Sequence, residues 1–318
     1  MGAAQGERSA GQASEVILFG TAVTDLEAYD RYAAPGVRLA AEPDSEVVAH
    51  QSAGSLFRNY NLLLDQAAAR ADLEALVLLH QDAEIIDPDF CDKIRHAVSD
   101  PDVAIVGCAG AVGVRGIAWW EGAVTWASFS HRYRERGGGE FPALSWKADR
   151  PDELPSVART GEVDSIDGFV MALSPWAVRE LRFDESLGNH HGYDFDLCMQ
   201  ARAAGKKVVT ADFRVVHHHD LTLIKDLDTW VEAYIRVAEK WDGELSNTRS
   251  DADWRQRALR AEAEAAAAKG EAVSAQLKCE ATERVLRDAH RSISWRLTAP
   301  LRWPRTVVTR RRNRKRYG

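Results

Sequence analysis

Short runs of apolar residues constrain the fold of this 318-residue chain more than any other feature. The clearest, at 75–80, reads Ala-Leu-Val-Leu-Leu-His, and other short runs occupy 15–20, 37–41 and 103–107. A run that is apolar at consecutive rather than alternate positions predicts a strand buried on both faces. Such strands are typical of parallel sheets that carry helices on both sides.

Helical patterns separate these runs. Residues 55–71 repeat apolar side chains at helical spacing, and Ser55 is the predicted N-cap. Pro88, directly after Asp87, is expected at the first position of a second helix. Strand, helix and strand in this order predict an α/β protein with a parallel sheet. Later elements are expected as helices at 195–204, closed by Gly205, and at 221–241, and as strands at 207–210 and 215–217.

Composition divides the chain into five segments. A Gly-, Ala- and Ser-rich start predicts a disordered leader, and an α/β domain follows, in which the less regular 108–160 is interpreted as an inserted hairpin and a mobile loop. A polar linker leads to an Ala- and Glu-rich helix and then to a basic, aromatic tail. The helix is either a self-associating coiled coil or a solvated or partner-docking helix. The predicted bounds are 1–14, 15–241, 242–250, 251–290 and 291–318.

Charge is distributed unevenly along the chain. The net charge is −7, yet 291–318 contains ten Arg or Lys and no Asp or Glu. The remaining 31 basic and 48 acidic residues give the rest of the chain a balance of −17. An acidic body argues against nucleic-acid binding by the main domain. Four scattered cysteines, and no apolar run of the ~18 residues that a membrane-spanning helix needs, favour a cytoplasmic protein.

Acidic residues and histidines recur where the predicted strands end. Asp82 follows the strand at 75–80, Asp167 and Asp194 each come directly after apolar or aromatic residues, and His217 ends a strand. Sites in open α/β sheets are built at the carboxyl ends of the strands. The pattern therefore predicts a site for a cation, a polar substrate or both. The structural alternatives are a loop-capping or helix-capping Asp, a turn, and a solvent-facing His.

The order and spacing of these motifs resemble the glycosyltransferase family 2-like proteins, and among them the streptomycin-biosynthesis-type glycosyltransferase-like domain. The resemblance covers roughly 15–240. It implies the GT-A fold, the Rossmann-like α/β fold of nucleotide-diphospho-sugar transferases, to which the predicted C-terminal helix is an extension. The motifs that carry it are Leu78-Leu79-His80-Gln81-Asp82, Ile166-Asp167-Gly168-Phe169, Phe183-Asp184-Glu185, Tyr193-Asp194-Phe195-Asp196-Leu197, Gly205 and His217.

The resemblance implies a role for several of these residues. Asp82 matches the last Asp of the family's Asp-x-Asp metal motif, and His217 matches a further ligand, so both are expected to hold Mn²⁺ or Mg²⁺. Asp194 matches the catalytic base. The chain departs from the family pattern at His80, where the metal motif has its first Asp, and at Tyr193, where an acidic residue precedes the base.

Which histidine of the run at 217–219 binds the metal is left open by the sequence. Strand alternation places His217 and His219 on one face and His218 on the other, and we favour His217.

Other residues are expected to contact the substrates. Glu42 and Asp44 follow the predicted strand at 37–41, where such folds contact the nucleotide base. Asp167 can accept hydrogen bonds from sugar hydroxyls, and Gly168 can let the backbone approach the sugar. Further candidates are His190 and His191 on the acceptor side, Trp119 and Trp120 either stacked on a sugar or in the core, and Asp196 as a helix cap or supporting group.

The implied function is a metal-dependent glycosyltransferase that moves a sugar from a nucleotide-diphosphate donor to a hydroxyl of a glycan or lipid-linked acceptor, with inversion. The main alternative is a non-catalytic carbohydrate- or nucleotide-binding scaffold, motivated by His80 in the metal motif. A weaker third hypothesis is a metal-dependent hydrolase that uses the histidine cluster.

The basic tail suggests where the protein is located. Trp and Leu alternate with Arg in 291–318, a pattern that favours docking on an anionic membrane, here the inner face of the plasma membrane. A solvated tail, or one that binds nucleic acid nonspecifically, is the alternative.

Overall fold

The structure is a computed structural model that describes residues 16–51, 54–112, 114–119, 124–127, 129–132, 140–142, 161–218, 224, 226–242 and 252–291. The predicted leader at 1–14, most of the linker, the loop at 137–139, Trp120, His219 and the tail from 292 lie outside the described residues.

Fourteen strands are described in three sheets. Their bounds are β1 Val16–Val23, β2 Glu46–Gln51, β3 Leu73–Leu79, β4 Ala83–Ile85, β5 Val103–Gly107, β6 Ala109–Val112, β7 Val124–Ala127, β8 Phe129–Arg132, β9 Glu140–Pro142, β10 Gly161–Val163, β11 Ser165–Ile166, β12 Val170–Leu173, β13 Lys207–Thr210 and β14 Val215–His217.

Helices lie between the strands and follow them. Their bounds are α1 Leu26–Ala28, a π-helical turn Tyr29–Ala33, α2 Ala34–Ala40, α3 Leu56–Ala68, α4 Phe90–Val98, α5 Pro175–Glu180, a 3₁₀ turn Glu185–Leu187, α6 Tyr193–Ala203, α7 Leu227–Lys240 and α8 Ala252–Arg291. None of the described helices is both long enough and apolar enough to cross a membrane.

The main sheet has seven strands in the order β10-β13-β5-β12-β3-β1-β2. β1 pairs in parallel with β2 and β3, and β13 pairs in parallel with β5. The α/β prediction is therefore confirmed, but the sheet is mixed, because β12 runs antiparallel to both β3 and β5. β12 enters the sheet from a turn at 167–169 rather than from a crossover helix, so it runs in the opposite direction.

Two smaller sheets complete the domain. β6 pairs antiparallel with β7, as expected for the inserted hairpin, and with β11. The other sheet has the order β4-β14-β8-β9. It places β14 beside the short strand that follows β3, and this pairing brings two distant parts of the chain together.

The prediction of a strand at 37–41 was wrong. These residues belong to α2, which begins after Ala33, has Pro35 in its first turn, and buries Val37 and Ala40 on one face. Val37 and Leu39 are spaced as on one face of a strand, whereas Val37 and Ala40 are spaced as on one face of a helix. The helix buries Val37 and Ala40 and leaves Leu39 exposed. The strand at this place is β2, at 46–51, whose residues alternate between greater and lesser exposure.

Helix ends follow local chemistry closely. Ser55 caps α3, because its Oγ accepts from the backbone N–H of Arg58 at 3.5 Å. α6 starts at Tyr193, two residues before the predicted 195, and ends before Gly205, whose φ of +74° suits a residue without Cβ.

α4 begins at Phe90 rather than at Pro88. The carboxylate of Asp87 accepts from the Asp89 N–H and from Lys93 Nζ, which holds the preceding residues in a turn.

The C-terminal helical extension is present as α8. Ala263, Ala266 and Ala267 on this helix are buried and belong to the hydrophobic core of the domain. A stripe of alanines lets the helix pack closely, so α8 adds one thin apolar face to the domain.

Candidate active site

The residues of the candidate site lie at the carboxyl ends of strands. β3 ends at Leu79, and the His-Gln-Asp segment follows it directly. β14 ends at His217, which is paired with Ala83 in β4. The backbone N–H of His218 donates to the carbonyl of Asp82 at 2.8 Å, which fixes the two segments side by side. The pairing of β4 with β14 therefore brings Asp82 and His217 together across more than 130 residues of chain.

Three side chains converge there. Asp82 Oδ1 lies 3.6 Å from His217 Nε2 and 4.0 Å from His80 Nδ1. One ligand atom from each of the three residues lies within 4.8 Å of the other two. These separations exceed a hydrogen bond but suit two ligand atoms that each lie about 2.0–2.2 Å from one metal ion. The residues present therefore fit a divalent metal.

His217 and His218 have different surroundings, as strand alternation predicted. The ring of His217 stacks on Phe169, with centroids 4.4 Å apart and an interplanar angle of 6°. His218 is turned away from Asp82: its Nε2 lies 2.6 Å from Glu84 Oε2, and its ring stacks on Tyr32 at 3.7 Å. Of His217 and His218, it is His217 that faces Asp82 and His80.

Asp167 lies next to this cluster and is held by two donors. Trp119 Nε1 donates to its Oδ2 at 3.0 Å, and the Phe169 N–H donates to its Oδ1 at 3.3 Å. Burial raises the pKa of Asp167; His217 opposes this shift and Asp82 adds to it, so all three groups interact electrostatically. Trp119 is buried and positions this carboxylate, a contact that the sequence pattern did not indicate.

Asp194 is half-buried in the first turn of α6. The Gly168 N–H donates to its Oδ2 at 3.0 Å, and the Phe195 N–H donates to its Oδ1 at 2.9 Å. Burial, and next the negative charge of Asp167, raise the pKa of Asp194 from 3.8 to about 7, against the effect of these donors. A carboxylate with that pKa can take up a proton near neutral pH.

Gly168 lies against Tyr193. A Cβ at this position would lie 2.4 Å from the Tyr193 hydroxyl oxygen, so the tyrosine ring occupies the space that a side chain here would need. The Tyr193 hydroxyl in turn lies 2.8 Å from His80 Nε2. Sequence reasoning treated His80 and Tyr193 only as departures from the family pattern, and their pairing was missed.

Asp196 is a supporting residue. Its buried carboxylate accepts from Gln200 Nε2 and from Trp241 Nε1, both at 2.8 Å, and pairs with Lys240 Nζ at 2.8 Å. The last two residues lie at the end of α7. Asp196 therefore anchors α7 to the helix that carries Asp194.

Glu42 and Asp44 do not join the site. Glu42 is ion-paired with Arg95, which also contacts Glu74 near the start of β3. Asp44 is exposed and precedes β2. Both lie at the amino ends of strands, opposite the edge where Asp82 lies. The expectation that they contact the nucleotide base depends on a strand at 37–41, and these residues form α2 instead.

Residues near the predicted base and donor sites are placed as follows. His190 is exposed, and its ring lies 4.1 Å from that of His191, just before α6. Burial lowers the pKa of His191 to about 4.

Gln81 Oε1 accepts from the N–H groups of Thr24 and Asp25, both at 2.8 Å, which joins the segment 80–82 to the loop after β1.

Known proteins share sequence similarity with this chain. A model of the glycosyltransferase-like family matches residues 19–234. The streptomycin biosynthesis protein StrF of Streptomyces griseus is 28% identical over 223 residues, which cover 68% of this chain and 71% of that protein. The O-antigen biosynthesis protein RfbC of Myxococcus xanthus is 27% identical over 184 residues, which cover 54% of this chain but only 13% of that protein.

One solved structure that aligns with this chain is the mannosyltransferase PcManGT from Pyrobaculum calidifontis in complex with GDP-Man and Mn²⁺. It aligns at a TM-score of 0.43 and 13% identity, over 90% of this chain and 83% of that one. The family model spans well over half of the sequence and most of the α/β domain. The chain therefore belongs to the glycosyltransferase-like family, and its α/β domain has the GT-A fold of glycosyltransferases.

Proposed function

We propose that this protein transfers a sugar from a nucleotide-diphosphate donor to an acceptor hydroxyl, with inversion at the anomeric carbon. The observation that carries the proposal is the position of Asp194. Its half-buried carboxylate has a pKa raised to about 7, and Asp167 links it electrostatically to the cluster of His80, Asp82 and His217. Family membership supports a transferase, and this geometry supplies a base beside a metal-binding cluster.

Asp194 would accept the proton of the acceptor hydroxyl. The hydroxyl oxygen forms its bond to the anomeric carbon as the bond from that carbon to the departing diphosphate breaks. The Gly168 and Phe195 N–H groups hold the carboxylate in place, so that it needs little reorientation to take the proton. A pKa near the working pH lets one carboxyl group accept a proton and release it again in each cycle.

Asp82 and His217 would hold Mn²⁺ or Mg²⁺. When bound, such an ion offsets the negative charge that develops on the leaving diphosphate. The stacked Phe169 ring fixes the orientation of His217, and the β4–β14 pairing fixes the distance between the two ligands.

Asp167 would accept hydrogen bonds from the donor sugar. Trp119 and the Phe169 N–H use two of the roughly four acceptor positions of its carboxylate, which leaves capacity for sugar hydroxyls. The donor nucleotide would lie across the carboxyl ends of β1 and β3, where the loop after β1 meets Gln81.

For partners, we propose a glycan or lipid-linked acceptor and, through 291–318, an anionic membrane surface that brings the site to such an acceptor. We also propose self-association through the helix at 251–290. The sequence of these segments supports both ideas.

The position of His80 supports the enzyme over the scaffold. The scaffold hypothesis is motivated by the missing first Asp of the metal motif, but His80 offers a ring nitrogen at that place, 4.0 Å from Asp82 Oδ1. We therefore favour the enzyme.

A two-stage experiment tests the proposed function. Nucleotide sugars are first screened by thermal shift with and without Mn²⁺, because a ligand that binds the folded state raises apparent stability. Donors that bind are then incubated with a panel of glycan and lipid-linked acceptors. We expect metal-dependent binding followed by acceptor-dependent transfer. Binding without transfer to any acceptor would favour the scaffold, and acceptor-independent cleavage of simple esters would favour the hydrolase.

A further inference from the structure

We infer that the metal centre has a third ligand, His80, that Tyr193 orients this histidine, and that the centre therefore selects Mn²⁺ over Mg²⁺. The inference deepens the metal site of the proposed function and rests on it. Metal binding can nevertheless be measured without donor, acceptor or turnover.

His80 presents one ring nitrogen to each of two partners. Its Nε2 lies 2.8 Å from the Tyr193 hydroxyl, and its Nδ1 lies 4.0 Å from Asp82 Oδ1. Nε2–H donation to the tyrosine oxygen leaves the lone pair of Nδ1 directed into the cluster. A metal-binding histidine commonly donates its other ring N–H to a fixed acceptor, which sets the tautomer and the ring orientation.

Tyr193 is held where this acceptor is needed. The ring is buried, and the rings of Phe57 and Tyr60 pack edge-on against it, at centroid distances of 6.1 and 5.6 Å. Gly168 leaves room for the hydroxyl, since any Cβ there would lie 2.4 Å from it. The hydroxyl is therefore fixed by packing before any metal binds, and it preorganises His80.

The resulting ligand set determines the choice of metal. His80 and His217 offer two imidazole nitrogens, and Asp82 offers carboxylate oxygen. Mg²⁺ prefers an all-oxygen shell and keeps several waters, whereas imidazole ligands suit transition metals. A site with two imidazoles and one carboxylate is expected to bind Mn²⁺ more tightly than Mg²⁺.

Tyr193→Phe tests the role of the hydroxyl, and Tyr60→Phe is its matched control. Both tyrosines are buried in the same aromatic cluster, but the Tyr60 hydroxyl has no hydrogen-bond partner among the described residues. Calorimetric titration of the full chain with Mn²⁺ should show about 10–100-fold weaker binding for Tyr193→Phe, the usual cost of losing such a supporting contact. Tyr60→Phe should bind Mn²⁺ as the wild type does.

A spectroscopic measurement addresses ligation independently of affinity. Electron spin echo spectra of bound Mn²⁺ should show coupling to two imidazole nitrogens in the wild type and to one in His80→Ala. His80→Asp replaces a nitrogen ligand with an oxygen ligand, and it should reduce the ratio of the affinity for Mn²⁺ to the affinity for Mg²⁺.

Equal Mn²⁺ affinity in folded Tyr193→Phe and wild type, or a spectrum unchanged by His80→Ala, would overturn the inference. If transfer fails for every acceptor while these metal results hold, the proposed function fails and this inference stands.

Discussion

At the scale of single residues, the site depends on carboxylates whose surroundings differ. Asp194 and Asp167 both have raised pKa values because burial disfavours the charged form, while Asp87 has a lowered one. Burial also raises the pKa of Asp87, but Lys93 and two backbone N–H donors outweigh this effect. Carboxylates whose pKa is raised by burial are typical of functional sites. Carboxylates whose pKa is lowered by a basic partner are typical of structural ion-pair networks. Chemistry is therefore assigned to Asp194 rather than to Asp87.

Asp194→Asn tests the base. The substitution keeps the size of the side chain but removes the ability to accept a proton, so transfer should fall by ~10²–10⁴-fold. Donor affinity should change little. Asp92→Asn is a suitable control, because Asp92 is in the first turn of α4 and is largely exposed. If the two variants transfer equally well, Asp194 is not the base.

The same residue predicts a pH dependence. With its pKa at about 7, Asp194 must lose a proton to act, so kcat/KM should rise with pH through about 7 in the wild type. The folded-state pKa is above the ordinary 3.8, so the folded state binds the extra proton. The stabilisation that this bound proton gives to the folded state is therefore lost as pH rises from about 4 to 7. Urea unfolding should show wild type losing stability relative to Asp194→Asn over that window, and parallel curves would contradict the assignment.

Asp82→Ala tests metal-assisted donor binding. The variant loses the carboxylate oxygen that lies near both His80 and His217. In Mn²⁺ its affinity for nucleotide sugar should therefore be much weaker than that of the wild type. In EDTA the two proteins should differ far less, because neither can use the metal. Isothermal titration under both conditions checks this, and equal affinities in saturating Mn²⁺ would rule it out.

At the scale of elements, the site depends on contacts between helices that are distant in sequence. α6 carries Tyr193 and Asp194 on its first turn, and Asp196 on the same turn binds the end of α7 through Lys240 and Trp241. Because one short turn carries both the proposed base and the contact with α7, we propose that α7 helps to position that base.

Asp196→Ala separates these two roles. It leaves the buried donors of Trp241 and Gln200 without their acceptor, so the free energy of unfolding should fall by about 1–3 kcal/mol. Asp184→Ala is the control, since it removes the other carboxylate that pairs with Lys240, at a more exposed position. Chemical denaturation of both variants checks this. A loss of stability in Asp184→Ala as large as in Asp196→Ala would contradict the anchor.

At the scale of the whole molecule, an acidic chain ends in a strongly basic segment. The stretch 291–318 has ten Arg or Lys and no acidic residue, while the remainder has a balance of −17. The long helix α8 precedes this segment and packs on the domain through its alanines. This arrangement assigns sugar transfer to the α/β domain and, as we propose, membrane contact to the tail.

Liposome sedimentation tests the tail. The full chain should sediment with anionic liposomes at low salt and less so at high salt, because each basic residue near such a surface contributes ~1 kcal/mol and salt screens the attraction. A truncated chain ending at His290 should remain in the supernatant. Identical behaviour of the two chains at low salt would exclude docking through the tail.

The sequence by itself determined the class of fold and selected two residues, Asp82 and His217, that the structure brings together. Consecutive apolar residues at 75–79 and 103–107 are buried in the main sheet, as their pattern predicted. Asp82 and His217 could be selected because each comes at the end of an apolar run, and the family motif joined them. These signals are local, because the apolar pattern of a strand's own residues indicates that the strand is buried.

Tertiary structure alone decided the rest. The stretch at 37–41 suits two periodicities, and packing selected the helix, which removed Glu42 and Asp44 from the site. His80 and Tyr193 are 113 positions apart, and Asp196 and Trp241 are 45 apart. No local pattern records such pairs, because they form only when sheet pairing and helix packing bring the side chains within hydrogen-bond distance.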